Sequence, residues 1–229
     1  MTKPAADETD HDLLPARRQL LAAALPHVPF DGWSQTLLCL AASEITCDAA
    51  TVARICPRGA IDLLQFWLSE TDRVMIERLT ALPLSEMRIR DRITAGVRIR
   101  LEILTPHRET VRRSMSTLAL PQNAALGLQT VWRSADAIWW AAGDTATDHN
   151  WYTKRMLLAG VYSATLLYWL DDTSTDNAAT WMFLDRRIND VLKLPQHIKK
   201  IRDKTRMATT LPWSPARFSR LWRKTFTEL

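Results

Sequence analysis

Phe30-Asp31-Gly32-Trp33-Ser34, Thr46-Cys47-Asp48 and Pro57-Arg58-Gly59-Ala60 punctuate the stretch from Arg17 to Ile61, and their reading decides the fold. Glycine and proline break helices, while Ser34 and Asp48 are good N-cap residues, so these points separate short helices. The spacing predicts a helix over 15–25 that begins at Pro15, one over 35–43, and a third after Asp48 that ends at Pro57. A fourth follows from Ala60 to about Thr80, with Ile61, Leu64, Trp67 and Leu68 at helical spacing.

Outward from there every segment keeps the helical period. Ser85 to Leu104 carries Met87, Ile89, Ile93, Val97, Leu101 and Leu104 among many arginines, which predicts a surface helix with one buried stripe. A helix to about Thr117 follows, then one from Pro121 to Ala142 stopped by Gly143-Asp144. Asp148 can cap a long central helix over 150–170, and 177–194 reads as another, with Trp181, Leu184, Ile188 and Val191 inward. No strand emerges, so the class is all-α. The expected divisions are a disordered tail at 1–14, a helix-turn-helix region at 15–80, a ligand-binding and dimerisation domain at 81–195, and a basic linker with an amphipathic helix at 196–229.

Composition bounds the function. The chain of 229 residues is long enough for a substantial core, and its ten Trp suit a core, an apolar cavity, a partner surface or a membrane interface. Its net charge of +5 is uneven. Ten Lys/Arg and one acid, Asp203, lie between Lys193 and Lys224, so the remainder is acidic. Residues 15–80 hold six Arg against seven acids, and Asp48 to Arg54 offers one Arg behind an Asp. A helix-turn-helix without positive potential should bind duplex DNA weakly, so nucleic acid is not an expected partner. Cys39, Cys47 and Cys56 lack metal spacing and read as reduced core thiols. Residues 1–12 carry no leader pattern, which points to a cytoplasmic protein. The uncharged run from Met156 to Leu170 is too short for the roughly 17–25 residues of a membrane span. No phosphate-binding loop, nucleophile elbow or metal-ligand cluster occurs, and His11, His27, His107, His149 and His197 are scattered, so no catalytic residue, metal ligand or cofactor site is expected.

The C-terminus has a separate character. Phe218, Leu221, Trp222, Thr225 and Phe226 fall on one arc after Pro212, Trp213 and Pro215, with Arg217, Arg220, Arg223 and Lys224 opposite. Such a helix lies in the interface of an anionic bilayer, or else docks on the domain or on a second protomer.

The Arg17–Ile61 pattern resembles the TetR family of regulators in fold. Trp132-Arg133-Ser134-Ala135-Asp136-Ala137-Ile138-Trp139-Trp140 with Gly143-Asp144, Asp148-His149-Asn150-Trp151-Tyr152-Thr153-Lys154-Arg155 and Phe183-Leu184-Asp185-Arg186-Arg187-Ile188 closely resemble the Coq-nine family of ubiquinone-biosynthesis accessory proteins, from about Arg17 to Val191. The resemblance implies a TetR-like helical bundle, usually a homodimer. It also implies a protein that holds an isoprenoid quinone or phospholipid at a membrane surface and presents it, without catalysis, to the di-iron demethoxyubiquinone hydroxylase. By that pattern Asp148, Asn150, Trp151 and Tyr152 contact the hydroxylase, with Lys154 and Arg155 beside them. Three consecutive residues point about 100° apart on a helix, so at least one of the aromatics is expected outside the core, although Trp151 could instead tuck under a loop. Leu157, Leu158, Val161, Tyr162, Thr165, Leu166 and Trp169, faced by Trp132, Ile138 and Trp139, either fill a solid core or line a cavity for the lipid. A regulator sensing a hydrophobic ligand, or an enzyme acting on a lipid, are the competing functions. The expected location is the cytoplasm of a bacterium, on the inner face of the membrane.

Overall fold

A computed structural model describes the backbone of residues 6–144 and 149–191, with side-chain surroundings for 13–144 and 151–191. The described part is all-helical: α1 (Ala6–Ala24), α2 (Val28–Asp31), α3 (Gln35–Glu44), α4 (Ala49–Ile55), α5 (Ala60–Thr80), α6 (Ile89–Leu104), α7 (Arg108–Leu118), α8 (Ala124–Ala141), α9 (His149–Asp171) and α10 (178–191). Short 3-10 turns join several of them. Residues Met1–Ile188 form one compact unit; of a second, Asn189–Leu229, only the last turn of α10 is described. The expected linker and amphipathic helix, with Trp213, Arg217, Phe218, Arg220, Leu221, Trp222, Arg223, Lys224 and Phe226, lie outside the described residues.

The local signals act as expected. Ser34 Oγ accepts a hydrogen bond from Leu37 N at 3.1 Å, and Asp48 Oδ1 accepts one from Thr51 N at 2.9 Å, which satisfies otherwise orphaned donors at the starts of α3 and α4. Gly59 sits at φ +80°, a conformation costly for any other residue, where the chain turns into α5. Arg17 reaches from α1 to donate to Ile55 O at 3.0 Å, tying down the end of α4.

Two boundaries differ from the sequence reading. The first helix begins at Ala6 and runs through Pro15, so residues 6–14 are helix and not tail. The arginine-rich helix starts at Ile89, because Leu84–Glu86 forms a separate 3-10 turn after Pro83. Cys56 alone of the thiols is core, and burial pushes its pKa up to about 11; Cys39 is exposed and Cys47 half-buried.

The core lies where α5 packs on α6 and α8, and α8 on α9. Leu64, Met75, Leu79, Val97, Leu101, Leu104, Ile138 and Trp169 are fully or almost fully buried. The approach of α6 to α8 is close because residue 96 is glycine: a Cβ there would stand 2.8 Å from Ile138 Cγ2 and 3.2 Å from Leu79 Cδ2. No described helix is long and apolar enough to cross a membrane.

Candidate partner face and interior cavity

Gly143 ends α8 at φ +87°, donating to Trp140 O while Asp144 N donates to Trp139 O, both at 3.0 Å. This turn points the Asp144 carboxylate at the first turns of α9. Lys154 Nζ lies 2.8 Å from Asp144 Oδ1 and Arg155 Nη1 lies 3.3 Å from Oδ2. Arg155 Nε also pairs with Asp136 of α8, and Trp139 Nε1 donates to Lys154 O at 3.1 Å. Two carboxylates and two cations thus neutralise one another and clamp α9 to α8.

Above this clamp stand the rings. The Arg155 guanidinium lies 4.0 Å from the Trp151 ring centroid, Trp151 meets Tyr152 edge-on at 4.6 Å, and Trp132 stands 5.8 Å from Trp151. Tyr152 is 62% exposed, whereas Trp151 and Trp132 are half-buried. One ring is therefore mostly exposed and two brace it.

Six residues were expected to meet a partner. Tyr152 is presented, and Trp151 shows one side. Lys154 is half-buried and held by Asp144. Arg155 is a correction: at 3% exposure it is no surface group, because its donors are taken by Asp136 and Asp144 and its flat face by Trp151. Asp148 and the Asn150 side chain lie outside the described residues. Trp132, expected on a lipid wall, belongs to the ring cluster instead.

Of the other nine residues expected around a lipid, Tyr162 and Leu166 line an interior cavity among the described residues, together with Trp67, Arg100, Leu104, Val111, Ser114, Met115 and Ser134 among others. Leu158, Val161, Thr165 and Trp169 are packed, Ile138 fills against Gly96, Trp139 covers the start of α9, and Leu157 is half-buried. The cavity is small, about 50 Å³. A water takes roughly 30 Å³ of liquid, so this space admits a small group and not a long hydrocarbon tail.

One wall of it was not foreseen. Arg100, one of the arginines of α6, is 1% exposed. Its Nε donates to Asp72 Oδ1 at 2.8 Å, a second nitrogen donates to Tyr162 Oη, and Ser134 Oγ donates to Asp72 Oδ1 at 3.0 Å. Burial alone would weaken the Arg100 charge, but Tyr162 and Asp72 outweigh it and raise its pKa further; burial raises that of Tyr162, keeping its phenol protonated. The sequence does hold a signal: Arg100 falls on the Ile93, Val97, Leu101 and Leu104 stripe, and Asp72 on that of Leu68, Met75 and Leu79.

The helix-turn-helix region offers no comparable charge. The exposed face of α4 is Ala49, Ala50, Ala53 and Arg54, and the groove of about 520 Å³ beside it is lined by Leu38, Cys39, Ala42, Cys47, Val52 and Cys56 among others.

The COQ9 family pattern matches residues 124–195, the region of the ring cluster and α9. The chain is 34% identical over 192 residues to "Ubiquinone biosynthesis protein COQ9, mitochondrial" of Rattus norvegicus, covering 81% of this chain and 62% of that protein. The human protein of that name is 32% identical over 192 residues, with 81% and 60% covered, and the one from Drosophila melanogaster is 32% identical over 197 residues, with 84% and 60% covered. The chain thus spans about 60% of the length of these relatives. Among solved structures, a TetR transcriptional regulator from Nitrosomonas europaea superposes with a TM-score of 0.62 at 19% identity, over 78% of this chain and 98% of its own, a likeness of fold alone. The expectation of a bacterial, cytoplasmic protein is overturned by relatives named mitochondrial. On a TetR-like all-helical fold, with the family's pattern over its ring cluster and α9, the chain is a relative of the COQ9 proteins.

Proposed function

We propose that this protein is a non-catalytic accessory protein of ubiquinone biosynthesis that binds a polyprenyl quinone intermediate and presents it to the di-iron demethoxyubiquinone hydroxylase. The observation that carries the reading is the cluster of Trp132, Trp151 and Tyr152 over the Arg155 clamp, within the matched region. An exposed ring braced by two others and held on a neutralised base has the form of a binding hot spot: it loses little freedom on docking and leaves no unpaired charge in the interface.

Lipid binding is supported by the relatives' named pathway and by the interior between α5, α6, α7, α8 and α9, whose walls are mostly apolar. At about 50 Å³ the cavity there is too small for a polyprenyl tail, so taking one up requires α9 to part from its neighbours. The proposed homodimer would cover exposed apolar residues such as Met156 and Leu167 of α9 and Met182 of α10. Residues 193–229, read from their sequence, bring the protein to anionic lipid. Surface plasmon resonance with the purified hydroxylase tests the partner: specific binding, lost on Tyr152→Ala, is expected, and no binding by the intact chain overturns the assignment. The regulator reading draws no support from α4, which offers DNA a single cation.

A further inference from the structure

We propose that the buried cluster of Arg100, Tyr162, Ser134 and Asp72 is the seat for the oxygen-bearing ring of the ligand, and that it selects a neutral quinone over an anionic lipid headgroup. This rests on the proposed lipid-binding role and says which part of the ligand enters the cavity. Most of the polar groups lining that space are already engaged. Ser114 Oγ accepts from Trp33 Nε1 at 2.8 Å and donates to Thr110 O, Thr130 Oγ1 donates to Leu126 O, and Ser134 Oγ donates to Asp72 and to Thr130 O.

Two donors stand apart. The second Nη of Arg100 has no acceptor among the described residues, and neither has the hydroxyl proton of Tyr162, whose oxygen accepts from Arg100. Both residues line the cavity and both are almost wholly buried. A buried donor without an acceptor is costly, so the space favours a group that brings an acceptor oxygen. At about 50 Å³ it fits the carbonyl edge of a ring, whose remainder enters as Leu104, Met115 and Leu166 yield.

Charge decides the class. Asp72 already neutralises Arg100 at 2.8 Å, so the cluster has no net charge to offer. A phosphate placed here would bury a negative charge beside the Asp72 carboxylate. A quinone carbonyl accepts two hydrogen bonds and brings no charge.

The test is calorimetric titration of the full chain with 2,3-dimethoxy-5-methyl-1,4-benzoquinone and, separately, with short-chain phosphatidylglycerol below its micelle concentration. The double variant Asp72→Leu/Arg100→Met removes both charges together and should keep the melting temperature. Its quinone affinity should fall roughly ten-fold or more, the loss of hydrogen bonds to a neutral acceptor. Tyr162→Phe, which deletes one hydroxyl, should weaken binding several-fold and decides the matter if the double variant does not fold. Unchanged quinone affinity in folded variants, or tighter binding of phosphatidylglycerol by the wild type, overturns the seat. No binding of the ring probe, while polyprenyl quinone is still recovered from the purified protein, overturns the seat and spares the lipid role; recovery of neither overturns both.

Discussion

The guanidinium of Arg155 lies over the Trp151 ring, 4.0 Å from its centroid, while its nitrogens are held by Asp136 and Asp144. One buried side chain therefore sets both the docking of α9 on α8 and the pose of the rings above. Arg155→Met keeps the stem and removes the charge, leaving the buried Asp144 carboxylate with fewer donors. The expected loss is about 1–3 kcal/mol of unfolding free energy, measured by urea denaturation, together with weaker hydroxylase binding. A stability equal to wild type contradicts the clamp.

Tyr152 and Trp151 should separate recognition from packing. Tyr152→Ala removes an exposed ring and should lower hydroxylase affinity roughly ten-fold or more, with a melting temperature near wild type. Trp151→Ala should weaken binding as well, but it also removes packing against Trp132 and Arg155 and should cost about 1–2 kcal/mol of stability. Equal melting temperatures for the two variants would show that Trp151 braces nothing.

Gly96→Ala adds a methyl group 2.8 Å from Ile138 Cγ2. Alanine in a helix gains about 1 kcal/mol over glycine, but forcing a methyl into this contact costs about 1–3 kcal/mol, so net destabilisation is expected by thermal unfolding. A stabilised variant would mean that α6 and α8 have room to separate there.

The Asp172 carboxylate accepts from Ser174 N and Thr180 N, each at 2.8 Å, and from Thr180 Oγ1. Burial alone would raise its pKa, yet these hydrogen bonds outweigh burial and hold it well below the usual carboxylate range. A depressed folded-state pKa contributes stability above the unfolded value of about 4, which is lost as pH falls below it. Asp172→Asn should therefore be less stable than wild type at pH 7, and the gap should close in denaturation series run from about pH 5 downward. A gap independent of pH would place the effect in shape and not in charge.

Local features were legible in the sequence because their causes are local. Ser34 and Asp48 cap helices through amides three residues ahead, and Gly143 ends α8 by its own backbone freedom. What depends on helix docking was not. Asp72 and Arg100 are 28 residues apart, and their pairing exists only once α5 lies against α6. Arg155 follows Trp151 by one helical turn, a spacing that fits a surface stack as well as a buried one; the acids of α8 decide it. The apolar stripe of α9 looks the same whether its neighbours enclose a tail or fill the space, because the difference is set by the side chains of α6, α7 and α8 at close range.

The proposal as a whole depends on the protein carrying lipid. Organic extraction of the purified full-length chain, followed by mass spectrometry, tests it most directly. The account predicts an isoprenoid quinone in near-stoichiometric amount, retained through gel filtration. Protein that purifies free of lipid and takes up no polyprenyl quinone when offered it in vesicles would contradict it.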